Sequence, residues 1–261
     1  MNASYLEKDI SLKMNNRGFT LVELIVAMAI GLVIMAAIYA ATEMGQRSSL
    51  AVERKVVAQQ DARAALDIMA LEIGMASFNP NFATVIWVDG PPTGTCGNIS
   101  GNQAYKGIQE ATANSITVEM DIRATAAGSS PDGNVNDPNE IIRYLYQPTS
   151  NPNPNDDGWI SRSTSCVSGT HAFLGNQVGN IKEIRVVNAT AGAGGASIPM
   201  FTYYDGNDVQ IPYANLPASI PDIRRIRITL VVDTEAIDRS LNRRRRTISS
   251  TSIIPRNHAI N

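Results

Sequence analysis

The hydrophobic pattern of the chain changes period along its length, and each change marks a region. Residues 1–18 are polar and hold no apolar stretch of their own. Phe19 to Ala41 then carries one charge, Glu23, and the 18 residues from Leu24 to Ala41 carry none. A run of that length and composition is expected of a membrane-spanning helix. From Glu43 to Phe78 there is no proline and strong helix formers dominate. Leu66, Met69 and Ile73 recur at helical spacing with Ala65 and Ile68 beside them, which predicts one apolar stripe. Glu53, Arg54, Lys55, Asp61, Arg63 and Asp67 lie largely off that stripe. Pro80 is the first firm stop, because the residue before a proline disfavours helix. A single helix from Thr20 to Phe78 is therefore expected, about 90 Å long at 1.5 Å per residue. Gly31, Gly45 and Gly74 are its weak points.

Beyond Pro80 the period becomes two. Ile116, Val118, Met120 and Ile122 alternate with Thr117, Glu119, Asp121 and Arg123, the mark of a strand with two unlike faces. Ile226, Ile228, Leu230 and Val232 form a second inward set, with Arg225, Arg227 and Thr229 outward. Further strands are expected at 84–88, 140–146, 159–162, 183–187, 200–204 and 247–254. Between them lie loops rich in Gly, Pro, Asn, Asp and Ser, at 89–102, 127–139, 147–158 and 190–198. One long helix followed by short strands predicts an α+β domain with an antiparallel sheet.

Composition adds constraints on function. The hydrophobic share of 44% and charged share of 18% are ordinary for a folded protein. The formal charge is -2, and residues 1–18 contribute three basic and two acidic groups, so without them it becomes -3. That balance gives no general attraction for nucleic acid. Two histidines, His171 and His258, and two cysteines, Cys96 and Cys166, match no zinc-finger spacing. No phosphate-binding glycine loop and no nucleophile elbow occurs, so no enzyme activity is expected, and both histidines read as surface or loop residues.

The start of the apolar run carries the sharpest motif. Gly18-Phe19-Thr20-Leu21-Val22-Glu23-Leu24 resembles the processing site of type IV prepilins and type II secretion pseudopilins. The resemblance implies that a prepilin peptidase cuts after Gly18 and N-methylates Phe19. It also implies that Glu23 is the carboxylate used in subunit assembly. A carboxylate inside a membrane helix costs roughly 2.5–3.5 kcal/mol on insertion scales, so it needs a partner, and the cationic amine on Phe19 of a neighbouring subunit is suitable. A snorkelling glutamate on an ordinary signal anchor is the alternative. Met1 and Met14 both stand as starts, the latter giving a five-residue leader. Lys8, Lys13 and Arg17 favour a cytoplasmic N-terminus and an exported C-terminal part.

Two further stretches resemble PilW-type minor pilins. One is Gln59-Gln60-Asp61-Ala62-Arg63-Ala64-Ala65-Leu66-Asp67-Ile68-Met69. The other is the ending Arg246-Thr247-Ile248-Ser249-Ser250-Thr251-Ser252-Ile253-Ile254-Pro255-Arg256-Asn257. The family's usual Glu-Ile-Arg-Met-Ala-Gly reads here Glu72-Ile73-Gly74-Met75-Ala76-Ser77, departing at Gly74 and Ser77. The resemblance implies a pilin-like α+β fold with a leader over 1–18 and a membrane-spanning assembly half-helix over 19–42. An amphipathic half-helix over 43–79 and a soluble β-rich domain over 80–261 follow. The implied role is a minor pilin that joins, and helps to initiate or cap, a type IV pilus. Its partners are other minor and major pilins, the prepilin peptidase and the inner-membrane assembly platform, with a path from inner membrane and periplasm to the pilus. A J-type minor pseudopilin of type II secretion is the close alternative, and a DNA-binding pilin for uptake a more distant one.

Three further features complete the candidates. In an exported domain Cys96 and Cys166 are expected to form a disulfide, with two unpaired thiols as the alternative. Asp132, Asn134, Asn136 and Glu140 cluster oxygen ligands as calcium loops do, but the EF-hand pattern fails because its sixth and twelfth positions are Asp137 and Arg143. An Asn/Asp-rich turn is the plainer reading, and no cofactor is expected. Arg243 to Arg246 offers four adjacent cations for DNA phosphates or an acidic partner. The nearby Asp233, Glu235 and Asp238 favour a solvated hairpin turn before the last strand.

Overall fold

A computed structural model describes residues 18–88, 101–123, 131–135, 137–148, 158–164, 171–175, 184–234, 236–238 and 242–259. The chain divides into two compact units, residues 1–50 and 51–261. Helix α1 spans Leu21–Gly74. In the first unit its residues are exposed on every side, save partial cover at Gly31 and Glu43. Among the described residues it is the one helix long and apolar enough to cross a membrane. Gly31 and Gly45 do not interrupt it.

In the second unit the helix finds its partner within the chain. Ala58, Ala62, Ala65, Leu66, Met69 and Ile73 are buried, which is the expected stripe extended by two alanines. Ile68, expected beside the stripe, is 45% exposed, because it stands about 100° around the helix from Met69. The helix ends at Gly74, four residues short of expectation. The amides of Met75 and Ala76 bond back to Glu72 and Ile73 in tighter turns. The amide of Ser77 instead bonds the carbonyl of Glu119 at 2.9 Å, so the sheet stops the helix before Pro80 can.

The sheet is antiparallel throughout and contains nine strands among the described residues. They are β1 (Ile108–Ala111), β2 (Ser115–Glu119), β3 (Ile141–Pro148), β4 (Gly158–Thr164), β5 (His171–Leu174), β6 (Ile184–Val186), β7 (Phe201–Tyr204), β8 (Arg225–Thr234) and β9 (Arg246–Ile253). Their order is β1-β2-β3-β4-β6-β8-β7, with β5 pairing β4 and β9 pairing β8. Most expected strands are present, and β1 and β5 are added. The expected strand at 84–88 is absent. The amides of Trp87 and Val88 bond the side chains of Gln103 and Glu119, not a neighbouring backbone.

The main core joins one sheet face to the buried stripe of α1, with Ile116, Val118, Met120, Ile142, Tyr144 and Ile228 among its members. A second cluster, Ile86, Trp87, Val88, Val135 and Ile141, covers the other face of β2. Hence Thr117, Glu119 and Asp121, three of the four polar residues of the alternating stretch, are as buried as Ile116, Val118 and Met120, whereas Arg123 is exposed and Ile122 half-buried. On β8 the inward set is buried as expected, and Val231, Asp233 and Thr234 are buried as well.

Polar contacts lock α1 to the sheet. Glu72 receives Arg162 through Nη2 at 2.7 Å and Nε at 3.1 Å, and the Tyr144 hydroxyl donates to the same carboxylate. Burial, and then the Glu72 carboxylate, push the Tyr144 phenol far above its usual range, so it remains a donor. Such a bidentate, charge-assisted pair is directional and fixes helix rotation in a way that apolar contacts alone do not.

Candidate processing and assembly site

The first turn of α1 is built by its own sequence. Thr20 precedes the first helical residue, and its carbonyl takes the amide of Leu24 at 3.2 Å. The Thr20 hydroxyl accepts the amide of Glu23 at 3.2 Å. In return Oε2 of Glu23 accepts the Thr20 amide at 2.9 Å and the Thr20 hydroxyl at 3.0 Å. This is a reciprocal capping box, which satisfies helix-start amides that lack intrahelical acceptors. Its signal is the Thr-x-x-Glu spacing of Thr20 and Glu23, a feature that reading the stretch as a processing motif passes over. The carboxylate described as solitary within an apolar run therefore has a local partner. Only Oε2 is used in these bonds.

The residues on either side of the expected cut are open to an approaching enzyme. Phe19 is 90% exposed. A Cβ added at Gly18 would meet nothing within 4 Å, so nothing among the described residues requires glycine there. Any demand for glycine at position 18 must come from a protein that acts on it. Leu21, Val22, Leu24 and Ile25 are all exposed, presenting apolar surface on both sides of Glu23.

The other candidates are dispersed. Cys96, Cys166 and Asn136 lie outside the described residues. Asp132 accepts the amide of Asn134 at 2.9 Å, a local turn. Glu140 is buried and ties the loop to the end of β2, its Oε1 taking the amides of Ile122 and Arg123 and its Oε2 that of Asp137. Asp121, which the sequence reading did not single out, accepts the amide of Gly133 at 2.9 Å. Burial first, and neighbouring carboxylates after it, raise both Asp121 and Glu140 above their ordinary range. Among the described residues no group of three or more His, Cys, Asp or Glu side chains is placed to hold a metal ion.

The arginine run lies opposite Asp233 and Asp238 as it enters β9, whose first residue is Arg246. Asp238 and Arg243 bridge the two sides, Arg245 Nε donates to Asp238 at 2.7 Å, and Arg246 pairs with Asp233 at 2.8 and 2.9 Å. His171 is exposed at the start of β5, as expected. His258, expected at the surface, is fully buried. Its Nε2 donates to the carbonyl of Ile220 at 2.9 Å, which leaves Nδ1 to accept from the Ser77 hydroxyl at 2.9 Å. Burial lowers its pKa to about 4, so the ring is neutral and tethers the tail to the end of α1.

The family model of the prokaryotic N-terminal methylation motif matches residues 13–39. No curated protein and no solved structure matches the chain. The matched span contains Gly18, Phe19 and Glu23 and most of the apolar run, and it supports a type IV pilin-like or pseudopilin-like prepilin.

Proposed function

We propose that this chain is a minor pilin, which enters a type IV pilus after cleavage behind Gly18 and methylation of Phe19 and helps to initiate or cap the filament. The observation that carries the reading is the first turn of α1. An apolar helix exposed all round begins with a carboxylate whose Oε2 is bound by Thr20, while Oε1 makes no bond among the described residues. Oε1 then receives the new Phe19 amine of a neighbouring subunit, and the two charges neutralise each other in a medium that solvates neither well. Ala27, Ala29 and Gly31 offer close helix approach nearby.

Mass spectrometry of the protein from cells with an active prepilin peptidase tests the processing step. The expected N-terminus is N-methylated Phe19. A mature chain that keeps residues 1–18, or one cut near Ala40, would falsify the proposal. Recovery with a type II secretion complex in place of a pilus would retain the processing chemistry and shift the assignment to the J-type pseudopilin.

A further inference from the structure

We propose that β9 is a docking edge, which accepts an extended segment of another polypeptide, acidic at both ends, as an additional strand of the sheet. The proposal is independent of the membrane helix and goes beyond the pilin reading.

Among the described residues β9 pairs with β8 alone, through eight consecutive residue pairs without a register shift. Its outer row of amides and carbonyls therefore has no backbone partner among the described residues. The other borders of the sheet are protected. The β1 ladder is bulged between Ile108 and Glu110, and that of β5 shifts beside Ile160. The second side of β7 is occupied, since the amide of Phe201 donates to the carbonyl of Ala113 and the carbonyl of Tyr203 accepts the amide of Ile211. Sheet edges are usually blunted by bulges, proline, lysine or short length. From Arg246 to Ile253 there is no proline, no lysine and no bulge, and Pro255 comes only after the strand.

Side chains on the edge favour the same use. Ile248 and Ile254 are each 60% exposed, and Ser250 and Ser252 lie between them on the same face of the strand. This spacing gives an incoming strand apolar contacts at two points and room between them. Charge selects the occupant. Residues 242–259 contain five arginines and no acidic residue. Arg245 and Arg246 are bonded to Asp238 and Asp233, whereas Arg243 and Arg256, beyond the two ends of β9, are exposed and make no ion pair among the described residues. A strand with carboxylates at both ends satisfies the backbone row and both free cations together.

The test uses the full chain in detergent and a fluorescent peptide of four Thr-Val repeats flanked by paired glutamates. A control peptide carries lysines in place of the glutamates. The acidic probe should bind at least tenfold more tightly and slow amide exchange within Thr247–Ser252. Arg243→Glu with Arg256→Glu should reverse the preference between peptides. Successive amides of a strand point to opposite edges, so Ser249→Pro and Ser250→Pro act as mutual controls. The variant that melts with the parent should lose the probe, while the other loses a ladder bond to β8 and melts earlier. Equal binding of both peptides, binding without protection of β9, or an unchanged preference in the double charge variant overturns the proposal.

Discussion

The two halves of α1 solve the same problem in opposite ways. From Leu21 to Ala41 apolar residues cover almost the whole circumference and almost none is shielded by the rest of the chain. From Ala51 to Gly74 apolar residues narrow to a stripe, and that stripe is buried against the sheet. Each buried Leu, Met or Ile side chain contributes about 1.5–3 kcal/mol relative to exposure. The second half is thus satisfied within its own chain, while the first half keeps its demand for lipid or for other helices. One helix therefore serves both as a structural member of a folded domain and as an apolar surface for an environment outside it. Damage to the first half should alter assembly without unfolding the domain, and damage to the second should do the reverse.

The largest effect expected on that division is at Glu23. Glu23→Ala should leave leader cleavage and the melting temperature unchanged while lowering incorporation into filaments at least tenfold, scored by piliation of a deletion strain. Glu23→Asp should fall between, its shorter side chain reaching less far. Wild-type piliation with Glu23→Ala would show that charge pairing is unnecessary. In the second half, Met69→Ala should cost about 2–5 kcal/mol of stability, read by denaturant unfolding of the detergent-solubilised chain, because it opens a cavity where the residue is fully buried. Its membrane insertion should be normal.

A pH measurement refines the same boundary, because His258 joins the tail to the end of the helix. Its folded pKa of about 4 lies below the ordinary value of 6.5, so the unfolded chain takes up the proton first. Stability linked to His258 is complete above about pH 6.5 and is lost as the pH falls toward 4, by about 3 kcal/mol in all. Asp121 and Glu140 act with the opposite sign, since raised carboxyl pKa values favour the folded state as the pH falls. Subtracting the curve of His258→Gln from that of the parent isolates the histidine. A flat difference between pH 7 and 4 would contradict the neutral, buried ring. The smallest effect belongs to the cap. Thr20→Ala removes a cap worth about 1 kcal/mol, so amide exchange in the first turn should quicken about fivefold with no change in the domain. Equal exchange in the two chains would mean that the capping box contributes nothing.

Periodicity alone determines the start and chemistry of the long helix, the position of its buried stripe and the inward faces of β2 and β8. These features rest on residues close together in sequence, where 3.6-residue and two-residue repeats have direct physical meaning. The processing motif is local for the same reason, and so is the capping box. Tertiary structure decided everything that depended on residues far apart. The helix stops at Gly74 because Glu119, 42 residues beyond Ser77, captures an amide there. The polar face of β2 is buried because residues 86–88 fold over it and use side-chain acceptors in place of a ladder. His258 is buried because Ser77 and Ile220, remote in sequence, supply one donor and one acceptor to its two ring nitrogens. A polar residue is stable in a core only when such partners meet it there, and the chain's folding, not its local pattern, brings them together.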